Sequence, residues 1–191
     1  MCRIMCAWCL YSTIIFLINI KLFGFNKYII KCDIEVRILS LEFALGEVGK
    51  IEENNNSGYV MKYLESVDLK KGNPYCMAGQ YWAFKEATYK LNKNNPLLKT
   101  GSAVKEYNYL RNIGLKIKFY LSKYDLVFWR ENRSWRGHTE RIIDVGKAGW
   151  IRTIGFNVKS GNKEGVFIKK RNIFHPINRL LFIGAVGFED N

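Results

Sequence analysis

A chain of 191 residues is enough for one ordinary domain and too little for two. With 48% hydrophobic and 15% aromatic residues and only three prolines, it is built to bury a core, which excludes a disordered or Pro-rich linker protein. Thirty Lys and Arg against seventeen Asp and Glu give a formal charge of +13, which favours a polyanionic partner. Nucleic acid, an anionic membrane surface and a charged bacterial wall all satisfy that charge.

In chain order, the first feature is Ile4 to Ile20 (IMCAWCLYSTIIFLINI), an uncharged run after the lone Arg3. It stands at the short edge of a membrane span and exceeds most signal-peptide cores. Lys21, Phe23, Phe25 and Lys27 follow it, with no small-x-small cleavage site. Two readings stay open: a membrane anchor or uncleaved export signal, and a start codon assigned too far upstream. Cys2, Cys6 and Cys9 have the spacing of a radical-type iron–sulfur site, but no element precedes them to build the surrounding fold. Together with Cys32 and Cys76 they make an odd set crowded at one end, unlike a disulfide framework. Residues 1–30 carry Arg3, Lys21 and Lys27 and no acid, so most of the positive charge belongs to residues 31–191. The expected organisation is a hydrophobic N-terminal segment, 1–30, and one domain, 31–191.

Ile34, Ile38, Leu41 and Leu45 recur at a helical period and predict a helix over Ile34 to Val48. After the Asn-rich IEENNNSGY, Val60 to Leu69 reads as a short second helix. Tyr75 to Leu91 reads as a third, between Asn73-Pro74 and Pro96. The second half turns to short β-branched and aromatic runs between Gly- and Asn-rich turns. These are Asp125–Trp129, Glu140–Val145, Trp150–Ile154, Val166–Lys170 and Leu180–Phe188. Helices followed by antiparallel strands predict an α+β fold.

Three positions carry chemistry. Cys76 lies in the first turn of the third helix, where free N–H groups and the helix dipole favour a thiolate. Gly79 and Ala83 make the helix face beneath it small, which is expected to leave room for a substrate and an imidazole. His138 leads into Glu140–Val145, and the next strand returns through Gly146-Lys147-Ala148-Gly149. A symmetric turn there pairs Gly146 with Gly149, Asp144 with Ile151 and His138 with Asn157. An amide opposite the imidazole would orient it, which is the logic of Cys-His-Asn nucleophilic catalysis. The bland alternatives are a structural cysteine and a structural histidine.

The segments GNPYCMAGQYW, YDLVFWR, RGHTERIIDVG, WIRTIGFNV and EGVF resemble the CHAP and NlpC/P60 group of papain-like peptidoglycan hydrolases. Trp82 stands six residues after the cysteine, as is usual there, and Asp125 to Trp129 matches a GD-(I/V)-V-F-W strand with Tyr124 in place of Gly. The resemblance spans roughly Ile38 to Phe188. It implies a papain-like fold, with N-terminal helices packed on a five- to six-stranded antiparallel sheet. It also implies Cys76 as nucleophile, His138 as general base and Asn157 as the orienting residue. The Cys76 N–H would serve an oxyanion hole, with Tyr75 nearby. This chain departs from the pattern at two positions: Glu140 stands where Gly is usual, and Gly155 where Glu is frequent. The turn symmetry sets these two opposite each other. Either the carboxylate has crossed the hairpin and supports His138, or Glu140 is a solvated surface charge.

The resulting expectation is a monomeric, cofactor-free cysteine peptidase or amidase that cleaves an amide bond of peptidoglycan. It would work in a bacterial or phage context at the cell envelope, exported or membrane-associated through residues 4–20, and a phage lysis enzyme fits that description. Trp129, Trp135 and Trp150 are candidates to line its groove. The alternative is a non-catalytic peptidoglycan-binding or structural module on the same scaffold. Nucleic-acid binding rests on charge alone, since no helix–turn–helix, RRM core or zinc spacing occurs. Two distant histidines supply no ligand-spaced metal pair.

Overall fold

The computed structural model describes residues 25–191. The expectations for residues 4–20 and for Cys2, Cys6 and Cys9 fall outside these residues. Among the described residues, no helix is long and apolar enough to cross a membrane. Within residues 25–191, four α-helices stand against one mixed sheet: α1 (Ile34–Gly46), α2 (Met61–Glu65, entered through a 3-10 turn), α3 (Cys76–Leu91) and α4 (Ala103–Ile113). The strands are β1 (Asn26–Lys31), β2 (Leu115–Ile117), β3 (Leu126–Glu131), β4 (Gly137–Val145), β5 (Trp150–Ser160), β6 (Lys163–Asn172) and β7 (Leu180–Glu189). Their order is β2-β1-β7-β3-β4-β5-β6. The α+β expectation holds.

The sheet differs from the expected five or six antiparallel strands. It has seven, and β1 lies parallel to β7 while the other neighbours are antiparallel. β1 begins at Asn26, so a domain boundary at residue 30 would cut through a strand. Its alternation is short and follows directly on a hydrophobic run, which hides it in the sequence. A buried ion pair fastens it. Lys27 Nζ lies 2.8 Å from Asp125 Oδ2, both side chains almost wholly enclosed. The pair passes β7 at Gly187, where a Cβ would come within 2.7 Å of both residues. Burial raises the Asp125 carboxyl to about 6 even though Lys27 pulls the other way.

α1 forms where its periodicity predicts, but it buries a different face. Val36, Ser40, Leu41 and Ala44 point inward, while Ile34 and Ile38 are exposed. The physical reason is Arg141 of β4, fully buried, which donates to Ser40 Oγ at 2.8 Å and to the Arg37 carbonyl at 2.7 Å. A polar residue on the helix is needed there to satisfy the guanidinium. α4 went unrecognised in the sequence, although Ala103, Val104, Tyr107 and Leu110 form its inward stripe. Ser102 caps it by accepting the Lys105 N–H.

The helices cover one side of the sheet, over Phe128, Arg141, Ile154 and Phe156. The other side gathers Val127, Trp129, Ile142, Ile151, Phe182 and Ala185 beneath loops carrying Phe119 and Ile177. α3 sits close to the sheet because Gly79 has no side chain: a Cβ there would stand 2.2 Å from the Phe156 ring. The small face of α3 is thus filled by Phe156, contrary to the expectation that it leaves space for substrate.

Candidate active site

Cys76 is the first residue of α3, preceded by the Asn73-Pro74-Tyr75 turn. The first-turn N–H groups have no partner within the helix, so a developing negative charge beside Cys76 meets donors and the positive helix end. Cys76 Sγ lies 3.9 Å from the Gly137 carbonyl, at the start of β4. The next residue, His138, stands close enough for Cys76 to act on its imidazole. Gly137 allows this approach; a Cβ there would press on Val104 of α4 at 2.7 Å.

The other imidazole nitrogen, Nε2, is 3.0 Å from Glu140 Oε1. This leaves Nδ1 as the nitrogen available to a proton from the thiol. Glu140 is fully buried and saturated with donors. Thr153 Oγ1 donates to Oε2 at 2.5 Å, Arg171 Nη2 to Oε1 at 2.5 Å, and Arg171 Nε to both oxygens at 3.1 Å. Room for this carboxylate comes from Gly155, directly across the ladder, where a Cβ would lie 3.0 Å from Oε1. The reciprocal exchange of Glu and Gly noted in the sequence is therefore a physical pair, and Glu140 is no solvated surface charge.

Electrostatics follow from this chain of contacts. Burial opposes the imidazolium, but Cys76 and Glu140 outweigh it and raise His138 from its ordinary 6.5 to about 9. Burial also opposes the Glu140 carboxylate, yet His138 and Arg171 bring it down from 4.5 to about 2. The proton shared by the pair therefore rests on the imidazole at neutral pH, between a buried anion and the Cys76 sulfur.

Asn157 does not join this chain. Its Oδ1 accepts the Tyr75 N–H at 3.2 Å, and its Nδ2 donates to Glu164 Oε1 at 2.7 Å and Asn56 Oδ1 at 3.4 Å. The expected His138–Asn157 pairing fails for a structural reason. The β4–β5 turn is asymmetric, so Gly146 meets Trp150 and Asp144 meets Arg152. A bulge at Ile143 restores the expected register at Glu140–Gly155, and a second irregularity between Gly155 and Val158 then bends β5. Asn157, at φ +56°, is turned there onto the loop before Cys76. It holds Tyr75, and through it the start of α3, to the sheet. A left-handed backbone also appears at Tyr124, φ +77°, the position at which the resembled strand has Gly.

An open cleft of about 380 Å³ borders Cys76. Asn73, Pro74, Thr100 to Ala103, Leu69, Trp135, Arg136 and Gly137 form its remaining walls. Of the three tryptophans expected at a groove, only Trp135 lies here. Trp129 is buried behind His138, their ring centroids 6.2 Å apart, and Trp150 packs against His175. Sequence reasoning missed Thr153 and Arg171. The strand ladder sets Phe167 in line with Glu140 and Gly155, and Arg171 reaches the carboxylate from its place opposite Ile151, so counting along the ladder does not reveal it. Among the described residues, no group of three or more His, Cys, Asp or Glu could hold a metal ion. No protein-family model, no curated protein and no solved structure matches this chain.

Proposed function

We propose that this protein is a cysteine hydrolase of the papain-like kind that cleaves an amide bond of peptidoglycan. The observation that carries the reading is the hydrogen-bonded chain His138–Glu140–Arg171 next to Cys76, which stands at a helix N-terminus beside an open cleft. A thiol, a base that takes its proton and a third group that fixes the base are the parts that acyl transfer needs. In this reading Glu140 takes the orienting role that the resemblance assigns to Asn157. The resemblance of the sequence segments to wall hydrolases and the net positive charge support peptidoglycan as the substrate.

In the reaction, Cys76 Sγ attacks the amide carbonyl while the thiol proton rests on His138. The carbonyl oxygen becomes an oxyanion against the Cys76 N–H. His138 then donates its proton to the leaving nitrogen, the C–N bond breaks, and a thioester remains. Water attacks that thioester, losing a proton to the imidazole, and the carboxylic acid and the thiol are released. Glu140 stays ionised throughout and stabilises the imidazolium that carries the proton between steps.

The test is incubation of the full chain, and of its Cys76→Ala variant, with purified sacculi of several wall chemistries, followed by mass spectrometry of the soluble products. Release by the wild type alone establishes the hydrolase, and the product masses name the bond. A folded, reduced wild type that releases nothing overturns the reading.

A further inference from the structure

The cleft beside Cys76 has an unusual wall. The turn between β3 and β4 sets Trp135 and Arg136 at its mouth, immediately before Gly137 and His138. Trp135 is 73% exposed, a large apolar surface left in water. Arg136 lies against the indole, its guanidinium carbon 6.0 Å from the ring centroid, with two-thirds of its side chain accessible. Among the described residues its acidic neighbour is Glu131, at a loose 3.9 Å. None of the residues lining the cleft is acidic, and most present apolar or neutral surface.

We propose that Trp135 and Arg136 form the specificity element of this site, reading a free carboxylate on the substrate residue that lodges beside Cys76. The inference rests on the hydrolase reading and names the substrate class within it. The guanidinium offers a planar donor pair matched to a carboxylate. The indole supplies a flat face against which the aliphatic part of the same residue packs. Because the pair directly precedes Gly137 and His138, a carboxylate docked on Arg136 fixes the substrate backbone relative to the imidazole. Glu131, loosely held, yields its place to the incoming anion. A neutral carboxamide at that substrate position keeps the packing and loses the charge-assisted bonds.

The experiment uses two peptidoglycan stem peptides that are identical except that the carboxyl of the second residue is free in one and a carboxamide in the other. The full-length wild type is expected to favour the carboxylate by about tenfold or more in kcat/KM, chiefly through KM. Arg136→Gln should bring the ratio of the two peptides close to one, and Arg136→Lys should restore part of it. Trp135→Ala should raise KM for both peptides alike. Hydrolysis without discrimination by the wild type, or a preference that survives Arg136→Gln, overturns the inference and leaves the hydrolase reading standing. If neither peptide and no sacculus is cleaved, the hydrolase reading fails. Binding of the two peptides to the Cys76→Ala protein, followed by tryptophan fluorescence, still decides the role of Arg136: a carboxylate preference that Arg136→Gln removes supports it, and equal binding overturns it.

Discussion

Cys32 and Cys76 are equally buried, at 4% exposure each, and each borders a cavity, of about 400 Å³ and 380 Å³ respectively. Cys32 even has two arginines near it, Arg37 and Arg141. Burial nevertheless pushes its thiol up to about 11, because those cations only partly offset the desolvation. Arg141 is committed to Ser40 and the Arg37 carbonyl, and among the described residues Cys32 Sγ has only the Asp33 carbonyl as a hydrogen-bond partner, at 3.7 Å. Cys76 differs in having a base within reach and a helix N-terminus behind it. Nearby positive charge does not make a nucleophile of a thiol; a group that accepts its proton does.

The largest expected effect separates the two cysteines outright. Cys76→Ala should lower peptidoglycan hydrolysis by about a thousandfold or more, whereas Cys32→Ala should retain turnover. Iodoacetamide at pH 8, read peptide by peptide in the mass spectrometer, should label Cys76 well before Cys32. Equal labelling, or loss of activity on changing Cys32, would break the comparison.

Next in size is Glu140→Gln. The imidazolium loses its anion and Arg171 loses its carboxylate, so kcat should fall by about a hundredfold. The alkaline limb of the pH profile should move down from about 9, since Glu140 is one of the two groups that raise His138. An unchanged profile would mean that Glu140 serves packing alone.

Asn157→Ala should be milder, costing about 1 kcal/mol of stability and about tenfold in turnover through a loosened Tyr75 loop. The diagnostic is the pH profile, which should keep its limbs because Asn157 makes no hydrogen bond to His138. A displaced alkaline limb would return Asn157 to the orienting role.

The last effect lies in the pH dependence of stability. His138 has its pKa raised on folding, so its contribution is full below 6.5 and is lost as pH rises toward about 9. Glu140 has its pKa lowered, so its contribution is full above 4.5 and is lost as pH falls toward about 2. Denaturant midpoints should therefore show this pair contributing most between pH 4.5 and 6.5. Glu140→Gln should flatten that part of the wild-type curve.

Much of this was legible in the sequence for identifiable reasons. The short β-branched runs gave β3 to β7, and a Pro-aromatic-Cys turn ahead of a helix singled out Cys76. Glu140 opposite Gly155 followed from counting outward from a turn, and that pairing held because the bulge at Ile143 offsets the turn's asymmetry. The same count failed two residues further along, at Asn157, because backbone irregularities leave no mark in hydrophobic alternation. α1 was readable as a helix, but its buried face depended on Arg141, roughly a hundred positions away in the sequence. Long-range polar contacts of this sort lie outside any local pattern.

The parallel pairing of β1 with β7 has a mechanical consequence. Tension applied through Phe25 and Asn191 would draw these two neighbours in opposite directions along their common axis. Asn26 to Lys31 and Gly184 to Glu189 would then bear the load side by side, in shear, and their slanted hydrogen bonds would have to yield nearly together. The strands that carry the nucleophile's partners, β4 to β6, sit outside that line of force. A protein pulled from its ends would keep its reactive centre assembled until the clamp gives way.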